Sequence, residues 1–507
     1  MKQTSLYEMF EIEIPGDQPE AVARNCASFR QSEGEKIVVS AFRKRAGVFA
    51  VRFLPREEGE WKYEISLFGQ NISGSFCCGP AEEGSHGLVQ TQEDHFRYED
   101  GAKYLPFGTT CYAWIYQTRE LQDETMETLS TSCFNKIRML IFPKFMPYNQ
   151  EEPQLFPFAR RADGSWDVNR TEDAFWGNLD NRVAGLGRLG VEADLILFHP
   201  YDRWGFSEMC REDCLAYLDY MVARYGAYRN VWWSLANEYE MLTTKTMEDW
   251  DAFGERLRDT DPYHHLISVH NILIMYPKRD WMSHVSVQSG DVQRVALWRE
   301  NYGLPVIDDE FGYEGNIEYD WGNLSAFDFV DRCWTVVARG GFPTHGETFH
   351  REDEVLWWSK GGKLYGQSEP RMAYLKKLLY ELPGYGKGQF SWYQDPNQDK
   401  SDAKKEEDQG NAFARLIART PEENKGGLIS MQPMVLAGDG WKLRYFGRTC
   451  PWIMRDQLPE GTRWKAELID VWEMTRKELA EDLSGEIALK LPAKQGMAVL
   501  LTREVLQ

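Results

Sequence analysis

The sequence predicts an α/β protein, a (β/α)8 TIM barrel flanked by an N-terminal immunoglobulin-like β-sandwich and a C-terminal β-sandwich. Short apolar strands alternate with amphipathic helices eight times in the middle of the chain. Short strands broken by turn residues fill both flanks. With 507 residues, 42% of them hydrophobic, the chain is long enough for three domains, which we place at 1–88, 95–385 and 424–507.

In the N-terminal segment, strands are predicted at Lys36–Phe42, Val48–Leu54 and Trp61–Ser66. Turn residues separate them at 45–47 and 55–60. Strands of this length and spacing are typical of an immunoglobulin-like sandwich. The segment offers no candidate for chemistry.

The central segment is predicted to contain eight strand and helix units. The strands are expected at 105–114, 136–142, 193–200, 231–236, 265–270, 285–288, 304–310 and 341–347. The helices are expected at 120–132, 179–189, 215–225, 247–258, 292–300, 326–338 and from 368 to before Pro383. Eight such units in about 280 residues match the size of a (β/α)8 barrel.

Beyond residue 385 the chain is irregular and polar to about residue 423. The charged run at 400–408 is predicted to be a solvated loop. A strand pattern returns at Leu428, which predicts the C-terminal sandwich.

Two predicted strands each end in a carboxylate. Glu238 follows strand four, and Glu310 ends strand seven. Because barrel sites lie at the carboxyl ends of the strands, both side chains are expected at one mouth, facing each other. Two facing carboxyl groups indicate a glycosidase pair. Taken singly, each Glu is equally well explained as a surface residue at a strand end.

Two further carboxylates precede Glu310. Strand alternation places Asp308 on the same face as Glu310, one layer deeper, where a hydrogen-bonded structural role is expected. Asp309 is expected to face the helices. We prefer Glu310 because it is last on the strand.

The pair Asn237-Glu238 on strand four, with Glu310 on strand seven, resembles clan A glycoside hydrolases, the cellulase-like retaining type. The runs 104–108 and 180–191 look closer to the apiosidase-like glycoside hydrolases, which also carry a β-sandwich before the barrel and a β domain after it. The resemblance implies that Glu238 is the acid/base, Glu310 the nucleophile, and Asn237 a ligand of the sugar hydroxyl beside the anomeric carbon.

The resemblance also implies roles for other residues. Arg138 matches an arginine that supports the nucleophile, and His199 matches a sugar-binding histidine. Where the clan often has His-x-Tyr, this chain has His270 and Gln288, so Tyr313 is the candidate to hold the nucleophile oxygen. Trp357, next to Trp358, lies near the position of a platform tryptophan.

The proposed roles set expectations for the pKa values. Arg138 is expected to lower the pKa of Glu310. Burial against Trp232 or Trp233, together with the negative charge of Glu310, is expected to raise the pKa of Glu238.

Several flanking residues have two readings. For those at strand ends, sugar contact and a structural role are equally expected: His199, Asp202, His345 and Glu347. For the loop tryptophans, stacking on sugar and loop packing are equally expected: Trp114, Trp166, Trp176 and Trp357. A metal site at His345, Glu347 and His350 is a weaker alternative, because the spacing is not a known ligand pattern.

The composition limits the partners. A net charge of −21 and a pI near 5.0 argue against nucleic acid and against an anionic membrane surface. The sequence shows neither a secretion signal nor a membrane span. The nine cysteines have no metal or disulfide spacing, which favours reduced thiols in a cytoplasmic protein without metal or cofactor. Homo-oligomerisation stays open.

The function predicted is a retaining, exo-acting glycoside hydrolase. It would remove a terminal sugar, a furanoside such as apiose or arabinose or a β-pyranoside, from short plant-derived oligosaccharides or glycosides. The long loops 143–178 and 346–368 are expected to close the site into a pocket. The alternatives are an endo-acting cellulase-like glycanase with an open groove and an inactive carbohydrate-binding protein.

Overall fold

The structure is a computed structural model that describes residues 2–32, 34–385, 391–392, 419–421, 424 and 433–504. The predicted loop at 400–408 and the start of the C-terminal strand pattern at Leu428 lie outside these residues. The chain forms two compact units, Met1–Thr91 with Phe96–Gln288 and Gly346–Tyr365, and Gln92–His95 with Ser289–His345 and Gly366–Gln507. This division passes through the predicted barrel segment.

The N-terminal segment of the first unit is all-β. Its strands are β1 (Lys2–Ser5), β2 (Phe10–Pro15), β3 (Val22–Arg30), β4 (Ile37–Arg45), β5 (Val48–Phe53), β6 (Gly59–Leu67) and β7 (Gln70–Gly79). Hydrogen bonds join them into one sheet in the order β1-β7-β6-β3-β4-β5-β2, where the sequence predicts two sheets. Register shifts in β3 and β4 mark bulges, which bend strands, and the inner side chains share one core around Phe29, Phe53 and Phe76.

The rest of the first unit alternates strands and helices. The strands are β8 (Val89–Gln92), β9 (His95–Tyr98), β10 (Gly108–Thr110), β11 (Lys136–Leu140), β12 (Phe158–Arg160), β13 (Trp166–Thr171), β14 (Glu192–Phe198), β15 (Val231–Ala236), β16 (Ile267–Ser268) and β17 (Val285–Gln288). The helices are α1 (Arg119–Thr131), α2 (Asp173–Arg188), α3 (Arg211–Tyr225) and α4 (Met247–Thr260).

Six of these strands form the parallel part of the first unit. Parallel pairing gives the order β16-β15-β14-β11-β10, and a parallel bridge from His270 to Ser286 joins β17 beside β16. Every side chain of β11, β14 and β15 is buried, as expected for strands covered on both faces.

The second unit continues the alternation. Its elements are α5 (Val295–Tyr302), β18 (Val306–Glu310), β19 (Glu314–Gly315), α6 (Ala326–Ala338), β20 (Phe342–His345) and α8 (Ser368–Glu381); β21 (Glu347–Thr348) and α7 (Trp357–Lys360) belong to the first unit. Strands β18 and β20 pair in parallel. The predicted α/β class, with its eight parallel strands, is confirmed, and the strand at 265–270 is shorter than predicted.

The C-terminal part of the second unit is all-β. Its strands are β22 (Ser391–Trp392), β23 (Met434–Gly438), β24 (Trp441–Tyr445), β25 (Ile453–Gln457), β26 (Trp464–Asp470), β27 (Thr475–Leu483), β28 (Glu486–Lys490) and β29 (Met497–Arg503). Six form an antiparallel sheet in the order β22-β23-β24-β29-β26-β27, and β25 pairs with β28. Met454 and Leu489 of the pair lie in one apolar cluster with Val499 and Leu501 of the larger sheet.

Helices of membrane-spanning length and apolarity are absent from the described part of the chain.

Candidate active site

Glu238 lies in a backbone turn at the carboxyl end of β15. Its φ of 49° and ψ of 56° are left-handed, a conformation that costs free energy for a residue other than glycine. Hydrogen bonds on both sides hold the turn: the Asn237 amide donates to the Phe198 carbonyl at 2.9 Å, and the Tyr239 amide donates to the His270 carbonyl at 3.0 Å. The ends of three neighbouring strands therefore fix the direction of the Glu238 side chain.

The Glu238 carboxyl is 4% exposed and has polar partners. The Tyr201 hydroxyl donates to Glu238 Oε2, and the side chain of Gln288 also hydrogen-bonds this carboxyl. Burial raises the pKa of Glu238, against the opposing effects of Tyr201 and Lys144. The raised pKa was expected, and burial is its main cause.

The two tryptophans expected to bury Glu238 have their indole groups engaged elsewhere. Trp232 Nε1 donates to Glu192 at 3.0 Å, and Trp233 Nε1 donates to Asp261 at 2.9 Å. Both indole N–H groups are therefore bound to carboxylates other than Glu238.

Asn237 is held by two donors. Its Oδ1 accepts from the Tyr112 hydroxyl at 3.1 Å and from Arg138 Nη2 at 3.0 Å. Arg138 is fully buried on β11, and its Nε lies 4.0 Å from Asp194 Oδ2. Within the first unit, Arg138 thus orients the residue beside the acid/base candidate.

Lys144 and Tyr201 are site residues that the sequence analysis missed. Lys144 Nζ lies over the rings of Tyr112, Trp358 and Tyr201, at 3.7, 4.3 and 4.6 Å from their centroids. Lys144 lies in the aromatic stretch that follows β11, and Tyr201 lies two residues after His199. Both positions are just beyond predicted strand ends, and this was the feature by which the sequence could have indicated them as site residues.

His199 and Asp202 serve the backbone rather than a ligand. His199 Nε2 lies 3.1 Å from the Phe142 carbonyl, and its Nδ1 accepts from the Tyr201 amide at 3.1 Å. Burial lowers the pKa of His199 to about 4, so the ring is neutral. Asp202 caps the following loop by accepting the amides of Trp204 and Ser207, each at 2.7 Å. A sugar contact and a structural role were equally expected of both side chains, and these hydrogen bonds favour the structural role.

The predicted loop tryptophans pack inside the protein. Trp114, Trp166, Trp176 and Trp357 are each at most 3% exposed. Trp357 Nε1 donates to Thr109 Oγ1 at 2.7 Å, which turns that indole into the core. Trp358, its neighbour, is the tryptophan that meets Tyr112, edge to face at 5.5 Å. Of the two alternatives for Trp357, this contact favours packing, and Trp358 is equally buried.

A second carboxylate shapes the loop after β16. Glu240 Oε1 accepts the backbone amides of Ile272, Leu273 and Ile274 at 2.7 to 2.9 Å. Asn271 Oδ1 accepts from the Gln288 amide at 3.2 Å, which fixes the backbone at the end of β17. These contacts hold the loop that leads away from His270, whose ring is buried.

In the second unit, Glu310 ends β18 and is 9% exposed. Burial raises the pKa of Glu310 to about 8, and a hydrogen bond from the Tyr313 side chain opposes this rise. The sequence analysis expected a lowered pKa, so that prediction is wrong in direction, because burial outweighs the favourable contacts. Tyr313 does contact Glu310, as expected of the group that would hold its oxygen.

The two aspartates before Glu310 have different surroundings. Asp308 is fully buried, and neither carboxyl oxygen has a hydrogen-bond partner of normal geometry among the described residues. Burial and the neighbouring Asp309 raise its pKa well above the usual range. Asp309 accepts from Thr344 Oγ1 at 2.7 Å. Backbone contacts with Ser289 and Glu310 oppose this rise, and burial outweighs them, so a protonated carboxyl is the form that burial favours.

Of the remaining candidates, His345 and Glu347 are buried and His350 is exposed. Burial lowers the pKa of His345 to about 3, and its ring meets Phe329 edge to face. Glu347 Oε1 accepts the Tyr365 amide at 2.5 Å, so Glu347 holds the loop that contains α7. His350 packs against Tyr148. Across the described ranges, no group of histidine, cysteine and acidic side chains has the arrangement of a metal site.

Comparison with known proteins defines the class. Residues 90–397 match the family described as "Apiosidase-like, catalytic domain", a segment that contains both Glu238 and Glu310. Residues 3–68 and 431–502 match two domains of unknown function, DUF5060 and DUF5605. The catalytic segment is thus glycoside-hydrolase-like, and the chain belongs to the apiosidase-like family. No curated protein matches the sequence.

Solved structures agree with this assignment. A Bacteroides vulgatus protein described as a candidate glycoside hydrolase is 29% identical, with a TM-score of 0.85 over 99% of this chain and 100% of its own. A family 5 glycoside hydrolase from the same species is 16% identical, with a TM-score of 0.60 over 82% of this chain and 94% of its own, which shows the fold. The predicted resemblance to clan A glycoside hydrolases is confirmed.

Proposed function

We propose that this protein is a retaining, exo-acting glycoside hydrolase in which Glu238 is the acid/base and Glu310 the nucleophile. One observation carries the proposal: within the matched catalytic segment, each carboxyl group lies buried at the carboxyl end of a parallel strand and has a raised pKa. Buried carboxyls with perturbed pKa values at strand ends are typical of a catalytic site in this kind of fold.

The reaction has two steps. In the first, the Glu310 carboxylate attacks the anomeric carbon, the glycosidic C–O bond breaks, and Glu238 gives its proton to the departing oxygen. In the second, the Glu238 carboxylate takes a proton from water as that water attacks the anomeric carbon, and the Glu310 carboxylate leaves. The configuration at the anomeric carbon is retained after two inversions.

The neighbouring contacts support these roles. The raised pKa of Glu238 keeps the proton that the first step requires. The Tyr313 hydrogen bond favours the ionised form of Glu310, which is the attacking form. Because Asn237 Oδ1 is engaged by Tyr112 and Arg138, its amide nitrogen is the group that would donate to the neighbouring sugar hydroxyl.

The substrate proposed is a short plant-derived oligosaccharide or glycoside. The family description favours a terminal apiose, a furanoside, with arabinofuranosides and β-pyranosides as the next classes. Exo action is supported by the ordered loop after β11, which carries the β12–β13 hairpin, and by α7, whose Trp358 packs on Tyr112. Such loops narrow a strand-end cleft into a pocket.

A panel of aryl glycosides that includes furanosides tests the proposal. We expect release of the aryl group from one sugar class, with the first-formed sugar in the starting anomeric configuration by NMR. Early release of mixed oligomers from a polymer would indicate an endo-acting glycanase. Binding of sugars without turnover of any substrate would indicate a carbohydrate-binding protein.

A further inference from the structure

We propose that Lys144 is a positioning residue for the Asn237-Glu238 pair, acting as a cation held between the rings of Tyr112 and Tyr201. This inference rests on the proposed function, since it concerns the acid/base carboxyl. The Lys144 side chain contacts the rings of Tyr112 and Tyr201. The hydroxyl groups of these two tyrosines hydrogen-bond Asn237 and Glu238.

The geometry of the cage comes first. Lys144 is 2% exposed, and its Nζ lies 3.7 Å from the centroid of the Tyr112 ring, 4.6 Å from that of Tyr201 and 4.3 Å from that of Trp358. The rings of Tyr112 and Trp358 are nearly perpendicular, at 82°. Aromatic faces at these distances attract an ammonium, most strongly where water is excluded.

The far ends of the two tyrosines reach consecutive residues of the motif. The Tyr112 hydroxyl donates to Asn237 Oδ1 at 3.1 Å, and the Tyr201 hydroxyl donates to Glu238 Oε2. One cation therefore lies against both rings, while their hydroxyls hold the amide and the carboxyl. Turning either ring would break a cation–π contact as well as a hydrogen bond.

The backbone around the cage is fixed independently. The Phe145 amide donates to the Tyr201 carbonyl at 2.8 Å, and Asn149 Nδ2 donates to the Lys144 carbonyl at 2.5 Å. His199 bridges the same two segments through Phe142 and Tyr201. Hydrogen bonds thus join the loop after β11 to the loop after β14 at several points. They fix the backbone from which the Lys144 side chain extends.

The charges facing Lys144 oppose one another. Burial is the largest effect and lowers the pKa of Lys144 well below its usual range, and Arg138 adds to this lowering, whereas Glu238 and the three ring faces favour the ammonium form; His199 is neutral. In the ammonium form, Lys144 lowers the pKa of Glu238 against the effect of burial. The cation would therefore help Glu238 to become the carboxylate that acts as a base in the second step.

The test is Lys144→Met, which keeps the length of the side chain and removes the charge. We expect the limb of the kcat/KM profile that is set by deprotonation of Glu238 to move by about 1 pH unit to higher pH. We also expect kcat to fall at least about tenfold on substrates with poor leaving groups, with KM changed by less than about twofold. Lys144→Arg, which can stack on aromatic rings, should restore part of the wild-type profile.

Lys360→Met is the matched control. Lys360 is 6% exposed and lies in the same unit, but it pairs with Glu151 at 2.9 Å. Its variant should keep the wild-type pH profile. A folded Lys144→Met enzyme in which the limb set by Glu238 does not move would overturn the positioning role, even if kcat falls. Absence of glycosidase activity in the wild type would instead overturn the proposed function. If Lys144→Met does not fold, Lys144→Arg and a thiol-alkylated Lys144→Cys, which restores an amine, provide the same comparison of pH profiles.

Discussion

Glu238 combines a strained backbone with a buried carboxyl. Its left-handed φ has a cost that side chains of its type rarely bear, and hydrogen bonds from three strand ends maintain it. A strained backbone conformation persists only where contacts with the surrounding structure outweigh the residue's own conformational preference. The residue is thus held in one orientation before substrate arrives, as acid/base catalysis requires.

We expect Glu238→Ala to lose turnover by ~10²–10⁴-fold on substrates with poor leaving groups, because proton donation is removed. A dinitrophenyl glycoside needs little proton help, so its first step should survive and the glycosyl-enzyme should accumulate. Added azide needs no base and should restore turnover, giving a glycosyl azide of retained configuration. An inverted azide product, or no rescue, would contradict the assignment of Glu238.

The pKa of Glu310 predicts the other side of the pH profile. Since its pKa is about 8 in the free protein and the attacking form is ionised, kcat/KM should rise with pH towards that value. Tyr313→Phe removes a hydrogen bond that favours the ionised form, so the acidic limb should move to higher pH by about 1 pH unit. Tyr319→Phe, at a half-exposed position in the same unit, is the control. An optimum below pH 5 would contradict the prediction.

At the scale of elements, strand β14 carries an ionisable side chain into the protein interior. Strand β14 begins at Glu192, whose buried carboxyl accepts from Trp232 Nε1 on the neighbouring strand. Burial raises the pKa of Glu192 to about 8. At pH values between the ordinary carboxyl pKa and about 8, Glu192 is protonated in the folded protein but ionised in the unfolded chain. The free energy of unfolding therefore falls as the pH rises through this range.

Glu192→Gln removes this dependence while keeping an acceptor for the indole. We expect the variant to gain stability relative to wild type between pH 5 and pH 8, by on the order of 2 to 3 kcal/mol. Urea unfolding at the two pH values measures the change. Glu255→Gln, at an exposed position of α4, should give the same difference at both pH values. Equal effects of pH on Glu192→Gln and wild type would disprove the buried titration.

At the scale of the first unit, a buried ion network joins the N-terminal sheet to two helices. Asp180 of α2 accepts from Arg52 Nη2 of β5 at 2.7 Å and from Arg224 Nη2 of α3 at 2.9 Å. The Leu54 amide also donates to the Tyr263 hydroxyl at 2.8 Å. Asp180 belongs to one of the runs that resemble the apiosidase-like family, and here its role is structural.

Asp180→Ala would leave two buried guanidinium groups without their carboxylate. We expect a loss of about 3 to 5 kcal/mol in the free energy of unfolding, seen as a lower urea midpoint. The arginines hold the pKa of Asp180 below its usual range, so its contribution is present above the ordinary pKa and is lost as pH falls through the folded value. Asp123→Ala is the control, because Asp123 is 59% exposed and its pair with Arg182 should contribute less than about 1 kcal/mol. Similar losses in both variants would contradict the network's importance.

The sequence by itself determined the α/β class, the positions of most strands and helices, and the two carboxylates. Strands β15 and β17 and helix α6 have their predicted bounds, because hydrophobic periodicity and turn residues are local signals. Glu238 and Glu310 could be recognised because each directly follows or ends a buried strand. Burying a carboxylate there costs free energy, which favours a functional role for it.

The tertiary structure alone decided which other residues meet them. Lys144 and Tyr201 reach Glu238 from loops that are 94 and 37 residues away in sequence, a relation that no local pattern encodes. The same holds for His199, Asp202 and Trp357, whose side chains turn to backbone or core partners. The pKa of Glu310 rose where a fall was predicted, because burial is a property of the packed molecule and outweighs the contacts that residue types suggest.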